Sequence, residues 1–298
     1  MKRLVFALGL VALAGILLLL LTRPRALTVE DLPQHSADSV NGERMFHVGG
    51  CASCHASVGV KQEPPVLGGG LAMDTPFGVF HVPNISPHPT GGIGQWTTLD
   101  FINAMHRGVS PGGRHYYPAF PYASYSRMNF EDLMDLKAFL DSLPSTDKPN
   151  ESHELKFPWN IRAGIGLWKW VNLDPAFINA IPPGNDLLIR GRYLVEGPGH
   201  CGECHTPRNW TGGLDNSRWL GGAANPGGEG KVPNITPARK GLAEWSQSDI
   251  AYYLESGFTP DFDTVGGSMV EVQENMARLP AGDLTAIAAY LKATPPQD

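Results

Sequence analysis

One five-residue pattern occurs twice in this 298-residue chain, and its spacing limits the fold more than any other feature. Cys51-Ala-Ser-Cys54-His55 returns 150 residues later as Cys201-Gly-Glu-Cys204-His205. Val82-Pro83-Asn84-Ile85-Ser86 returns at the same offset as Val232-Pro233-Asn234-Ile235-Thr236. Trp96 and Trp245, and Gly108 and Gly257, correspond at an offset of 149. Self-similarity at a fixed period means one structural unit used twice.

Each copy carries the same helix signals. Thr97-x-x-Asp100 and Ser246-x-x-Asp249 pair a capping hydroxyl with an acid three residues on. Each copy also closes with an amphipathic helix before a proline. The first follows Asn129 and puts Leu133, Leu136, Phe139, Leu140 and Leu143 on one face; the second opens at Pro280 and aligns Leu284, Ile287, Tyr290 and Leu291. Strand signals are nearly absent. The expected fold is mostly α, with tandem helical domains over 35–145 and 185–298. The 35 Gly and 26 Pro residues call for long loops. The connector over 146–184 holds Trp159, Trp168 and Trp170, too many aromatics for a free linker, so it reads as a strap packed along both domains.

C-x-x-C-H is the signature of covalent c-type haem attachment. Two thiols three positions apart lie on one helical turn and can add to the two vinyl groups of a porphyrin, and the adjacent His then faces the iron as its proximal ligand. All four cysteines of the chain are used in this way, so none is left as a free nucleophile or extra ligand. A four-cysteine zinc site leaves His55 and His205 unexplained, and a thioredoxin-type motif needs a strand–helix setting that is missing here. The expected cofactors are therefore two covalently bound haem c groups, with their iron. A net charge of −6 without a basic block gives nucleic-acid binding no support.

Lys2 and Arg3 precede an unbroken apolar run, Leu4 to Leu21, which ends at Thr22-Arg23-Pro24-Arg25. The run exceeds the usual h-region of a signal peptide and is followed by Arg and Pro rather than a small-residue cleavage site. Eighteen residues at 1.5 Å each cover about 27 Å, enough to cross a hydrocarbon core. Residues 1–26 read as an uncleaved N-terminal anchor, with a removed signal peptide as the alternative. Bases flank both ends, so charge does not set the orientation.

At the level of these motifs the chain resembles the membrane-anchored cytochrome c subunits of bacterial periplasmic alcohol, gluconate and related sugar dehydrogenases. The matching stretches are Val82-Pro-Asn-Ile-Ser-Pro87, Thr90-Gly-Gly-Ile-Gly-Gln-Trp96, Tyr117-Pro-Ala-Phe-Pro-Tyr122, Arg190-Gly-Arg-Tyr-Leu194 and Gly199-His-Cys-Gly-Glu-Cys-His-Thr-Pro-Arg-Asn209. The resemblance runs over nearly everything after residue 40. It implies class I-like cytochrome c domains. Family members often carry three haems, whereas this chain has motifs for two.

A Met thioether on the far face raises the potential and closes the iron. The resemblance places it at Met128 in the first domain, just before the last helix. In the second domain Met269, in Gly266-Gly-Ser-Met269, matches the family's Gly-x-Met stretch, whereas ungapped counting from Gly257 brings Met276 closest to the position of Met128. Both stay open, with Met269 favoured. Met45, Met105 and Met134 read as core, and Met73 as an outside candidate in a glycine-rich loop. His47, His81, His88, His106, His115 and His200 read as loop or surface residues rather than ligands. The Pro207 carbonyl is a candidate to orient the proximal His. Arg208, Trp96 and Trp245 are candidates to donate to haem propionates.

No catalytic residues are expected beyond the haems. The chain is expected to take electrons from a periplasmic dehydrogenase and pass them to a quinone, a small cytochrome or a terminal oxidase. Its expected place is the bacterial inner membrane, as a single-pass anchor with the haem domains in the periplasm. The main rival is a dihaem peroxidase, which requires one open iron and distal acid–base groups. A haem-based sensor would need an output that the chain does not offer.

Overall fold

The structure is a computed structural model describing residues 2–60, 62–225, 228 and 230–298. It is mostly helical. The apolar run forms helix α1 (Lys2–Leu21), 20 residues long with a mean hydropathy of 3.0 in its best window. It projects from the body of the molecule with its side chains exposed.

The first half contains α2 (Ser39–Val48), α3 (Cys51–His55), α4 (Thr98–Ile102), α5 (Tyr122–Tyr125) and α6 (Phe130–Ser142). A connector helix α7 (Gly164–Asn172) follows, and then the second half: α8 (Asp186–Glu196), α9 (Gly202–His205), α10 (Gln247–Ser256), α11 (Met269–Met276) and α12 (Ala281–Ala293). Both capping boxes form. Thr97 Oγ1 accepts from the Asp100 N–H at 3.1 Å and Ser246 Oγ from the Asp249 N–H at 3.1 Å, while each acid accepts from its cap's backbone N–H. The repeated glycines end the same helices. α4 continues as a π turn (Asn103–Arg107) that stops at Gly108, and α10 stops at Gly257, both with positive φ.

Each half is closed by one helix crossing. α2 packs on α6 and α8 on α12, and each contact depends on a glycine. A Cβ at Gly42 would lie 2.1 Å from the Asp135 carbonyl oxygen, and one at Gly191 would lie 1.9 Å from that of Ala286. Backbones this close admit no side chain. Around the crossings lie Met45, Phe46, Leu133, Leu136 and Leu140 in the first half, and Leu194, Leu284, Ile287 and Leu291 in the second, all buried.

Strands are more frequent than the sequence suggests. β1 (Ala72–Thr75) and β2 (Gly78–His81) form a hairpin, β3 (Glu154–Leu155) of the connector adds to β2, and β4 (Ala223–Ala224) pairs with β5 (Lys231–Val232). Met73 therefore lies on β1 opposite Phe80, not in a glycine-rich loop. The period-2 signal fails here because these strands are only two to four residues long.

The connector does pack against both halves. Arg127 donates to the carbonyls of Asp174 and Ala176, and the fully buried Glu196 accepts from the backbone N–H groups of Ile178 and Asn179 and from the Tyr290 hydroxyl. Trp168 donates to the Thr211 carbonyl, but Trp159 and Trp170 remain exposed. The halves also meet directly. Tyr193 donates to Asp132, Ser124 donates to Glu203 at 2.8 Å, and Asn275 bonds both His47 and Ser53.

Two predictions follow from this frame. Gly42→Ala and Gly191→Ala should each destabilise by about 3 kcal/mol or more in denaturant titration, since overpacking against a backbone carbonyl outweighs the roughly 1 kcal/mol gain in helix propensity. The second concerns pH. Asp135 is partly desolvated, but bonds from the Asp38 N–H, Asn41 and His35 hold its carboxyl below the usual range, and the same Asp135 bond raises His35 above 6.5. The raised His35 contributes stability that is fully present below 6.5 and lost as pH rises through its raised value. Thermal melts should show this loss in the native chain and not in His35→Gln.

Candidate functional site

α3 and α9 are each about one turn long, and each presents its two cysteines on one side. The residue before each motif is left-handed: Gly50 at φ 54° and His200 at φ 37°. A histidine there is strained. Its ring packs against Tyr125, with centroids 5.5 Å apart.

Each turn is tied to the repeated Val-Pro-Asn-Ile loop. His55 Nδ1 donates to the Pro83 carbonyl at 2.9 Å, and His205 Nδ1 donates to the Pro233 carbonyl at 2.8 Å. A carbonyl only accepts, so Nδ1 carries the proton and Nε2 keeps its lone pair. Burial lowers both histidine pKa values against the opposing pull of these carbonyls, which keeps the rings neutral. The Gly69 and Gly222 amides donate to the carbonyls of His55 and His205. Asn84 then fixes the first loop, donating to the carbonyls of Thr146 and Lys148 and accepting from the Ser86 N–H. Asn234 does the same in the second, with the Gln297 carbonyl and Thr236.

The expected carbonyl partner of His205 was Pro207, and this is corrected. The Pro207 carbonyl accepts from the Asp215 amide instead. A signal for the true partner was present, because the Val-Pro-Asn-Ile repeat shares the offset of 150 with the cysteine motif.

The thiols are not activated. Burial pushes Cys51 and Cys201 up to about 12 and raises Cys54 and Cys204 as well. A redox C-x-x-C motif requires the opposite shift. No cluster of three His, Cys, Asp or Glu that could hold a metal ion occurs among the described residues. Two neutral thiols on one turn beside an imidazole with a free Nε2 fit a c-type haem. Cys54 and Cys204 are close enough for charge on one to raise the pKa of the other, so the two attachment turns are neighbours.

Met128 is buried at 4% exposure directly before the cap Asn129. The residue directly before the corresponding cap, Pro280, is Leu279, so neither methionine of the second half occupies the place of Met128. Met269 opens α11, half-buried after Gly266-Gly267, whereas Met276 ends it, buried at 4% exposure. Trp96 and Trp245 are half-buried against the core. Arg208 is engaged by the carbonyl and carboxylate of Glu203.

The remaining histidines are less peripheral than expected. His115 is buried and donates from Nε2 to the Thr22 carbonyl at 2.8 Å. His106 lies on the π turn against Phe130, where burial lowers its pKa to about 4. His47 and His200 line the contact between the halves, and His81 pairs with Glu151 and Glu154. His88 accepts backbone N–H groups in its own loop.

Residues 39–144 match the cytochrome c family model. The chain is 50% identical over 297 residues to a dihaem cytochrome c-type protein of Cereibacter sphaeroides, covering 99% of this chain and 98% of that one. It belongs to the dihaem c-type cytochromes. It is also 35% identical to the fructose dehydrogenase cytochrome subunit of Gluconobacter japonicus, over 95% of this chain and 58% of that subunit. The gluconate 2-dehydrogenase cytochrome c subunit of Pantoea cypripedii is likewise 35% identical, over 86% of this chain and 59% of that protein. The chain thus spans little more than half the length of these two subunits. As a member of the family it carries two covalently bound haem c groups and transfers electrons.

Asn84→Ala and Asn234→Ala should each cost about 1 kcal/mol or more, because each leaves part-buried carbonyl and N–H partners unpaired. Denaturant titration of the haem-loaded chain measures the loss.

Proposed function

We propose that Cys51, Cys54 and His55 hold one haem and Cys201, Cys204 and His205 the other, in two tandem cytochrome c domains over 35–145 and 185–298. The observation that carries this reading is the duplicated hydrogen bond from each histidine Nδ1 to the carbonyl of its Val-Pro-Asn loop. It commits one ring nitrogen and presents the other, which an iron ligand requires. Met128 and Met269 are the second axial ligands in this reading. Met128 sits directly before the final helix of its half. Met269 follows the Gly266-Gly267 pair at the edge of the core and matches the family's Gly-x-Met stretch. Trp96 and Trp245 are the N–H donors for propionates in this reading, and Arg208 acts by holding Glu203.

Haem, when bound, would supply one-electron chemistry; the protein's own residues would hold and orient it. The chain receives electrons from a periplasmic dehydrogenase, as the names of the relatives suggest, and delivers them to a quinone, a small cytochrome or a terminal oxidase. α1 anchors it in the bacterial inner membrane with the haem domains in the periplasm.

Visible spectra of the full chain in detergent test the ligation. The native chain should show a Met-to-iron charge-transfer band and no shift with carbon monoxide. Met128→Ala and Met269→Ala should each open one iron, so that about half the haem binds carbon monoxide, while Met276→Ala should leave both closed. A native chain that binds carbon monoxide readily would point to the peroxidase-type reading instead.

A further inference from the structure

The connector leaves an apolar surface uncovered where the membrane helix enters the protein. In α7, Trp168, Lys169 and Asn172 face inward: Trp168 donates to the Thr211 carbonyl, Lys169 donates to the carbonyls of Arg107 and Gly108, and Asn172 accepts from Asn209 and Thr211. The opposite face carries Leu167, Trp170 and Val171, spaced i, i+3 and i+4, with Trp170 58% and Val171 71% exposed. The turn leading into α7 adds Phe157 at 79%, Trp159 at 47% and Ile161 at 52%. Six exposed large apolar side chains on one short segment mark an interaction site.

Its position identifies the occupant. Gly166 lies beside this face and abuts the end of α1, since a Cβ there would be 2.2 Å from the Thr22 carbonyl oxygen. That oxygen also accepts from His115 Nε2, and the His115 carbonyl in turn accepts from Arg162. Beyond Thr22, Leu27 is held by a mutual pair of bonds with Asn103. The anchor therefore leaves the protein from a clamped point on the connector. The apolar run of α1 covers about 27 Å, close to the full hydrocarbon thickness, so the bilayer boundary falls near Thr22. The connector's outer face is then at headgroup level. The segment Lys156 to Asn172 carries no acid; Lys169 and Arg162 are turned onto protein carbonyls, and Lys156 is exposed. Exposed Trp beside aliphatic side chains is what an interfacial segment places at headgroup level.

We propose that residues 157–171 form a second membrane contact that lies in the interface and sets the tilt of the haem domains on the bilayer. This rests on the reading of α1 as a transmembrane anchor. The test uses the full haem-loaded chain in nanodiscs of phosphatidylethanolamine and phosphatidylglycerol containing a phospholipid with a photoactivatable group near the headgroup. Cross-linked peptides are mapped by mass spectrometry. Label is expected on α1 and on residues 157–171. The double variant Trp159→Gln/Trp170→Gln should reduce the second label several-fold while the α1 label and the haem spectrum stay unchanged. Label on α1 alone overturns the proposal and leaves the anchor reading intact; no label on either overturns both. An unlabelled connector that gains protection from amide exchange only when a dehydrogenase subunit is added assigns the face to that protein, and also overturns the proposal.

Discussion

A five-residue turn cannot hold an imidazole still, and in this protein the hydrogen bond from each His Nδ1 to a proline carbonyl supplies what the turn lacks. The carbonyl is 28 residues downstream of its histidine in both halves. Bringing it there dictates the loops. Gly69 at φ 61° and Gly222 at φ 84° pass so close to the Val-Pro strand that a Cβ at either would meet its backbone at 3.0 Å or less. Asn84 and Asn234 then lock the loop to the chain that leaves the final helix of each half. The glycine crossings of α2 with α6 and α8 with α12 hold that helix against the helix before the cysteine turn. Histidine, loop and helix crossing thus form one mechanical unit, made twice.

The contact between the units is polar at its rim and aromatic near the attachment turns. Asp132 accepts from Tyr193, Glu203 from Ser124, and Asn275 is shared between His47 and Ser53. Between them Tyr125 lies against His200, the residue that starts the second cysteine turn. The strained backbone of His200 is therefore offset by packing across the interface, while the equivalent Gly50 adopts its left-handed conformation freely. This places the two turns beside each other, which suits a protein whose work is to move electrons.

What the sequence made legible were features written in side chains. The cysteine turns, both capping boxes and the closing helices α6 and α12 each carry a residue-type signature, and the offset of 150 joined them. What it hid were features made of backbone. Pro207 looked a reasonable partner for His205 because it is near in sequence, but any residue offers a carbonyl and only folding selects Pro233. Gly42 and Gly191 went unread for the same reason, since a missing side chain declares nothing about what fills its place. In the second half, counting along the chain could not choose between Met269 and Met276, because the loops change length there. The register of the final helices shows that Leu279, not either methionine, occupies the place of Met128.

Several departures from the twofold repeat lie on the first half. β3 adds a strand only to the first hairpin, α7 packs its inner face on Tyr122 and the π turn of the first half, and α1 with its following residues is clamped by Asn103 and His115 of that half. The second half receives no counterpart to these additions among the described residues. An internal duplication alone would present two equivalent faces to its surroundings; the connector and the anchor remove that equivalence and fix which half stands next to the helix α1. The surroundings of the two cysteine turns differ for the same reason: the connector bonds both halves, whereas the leading segment and β3 brace only the first. Different bracing means different burial and different hydrogen bonding around otherwise matching ligand turns, and those are the terms by which a protein separates the potentials of two identical cofactors.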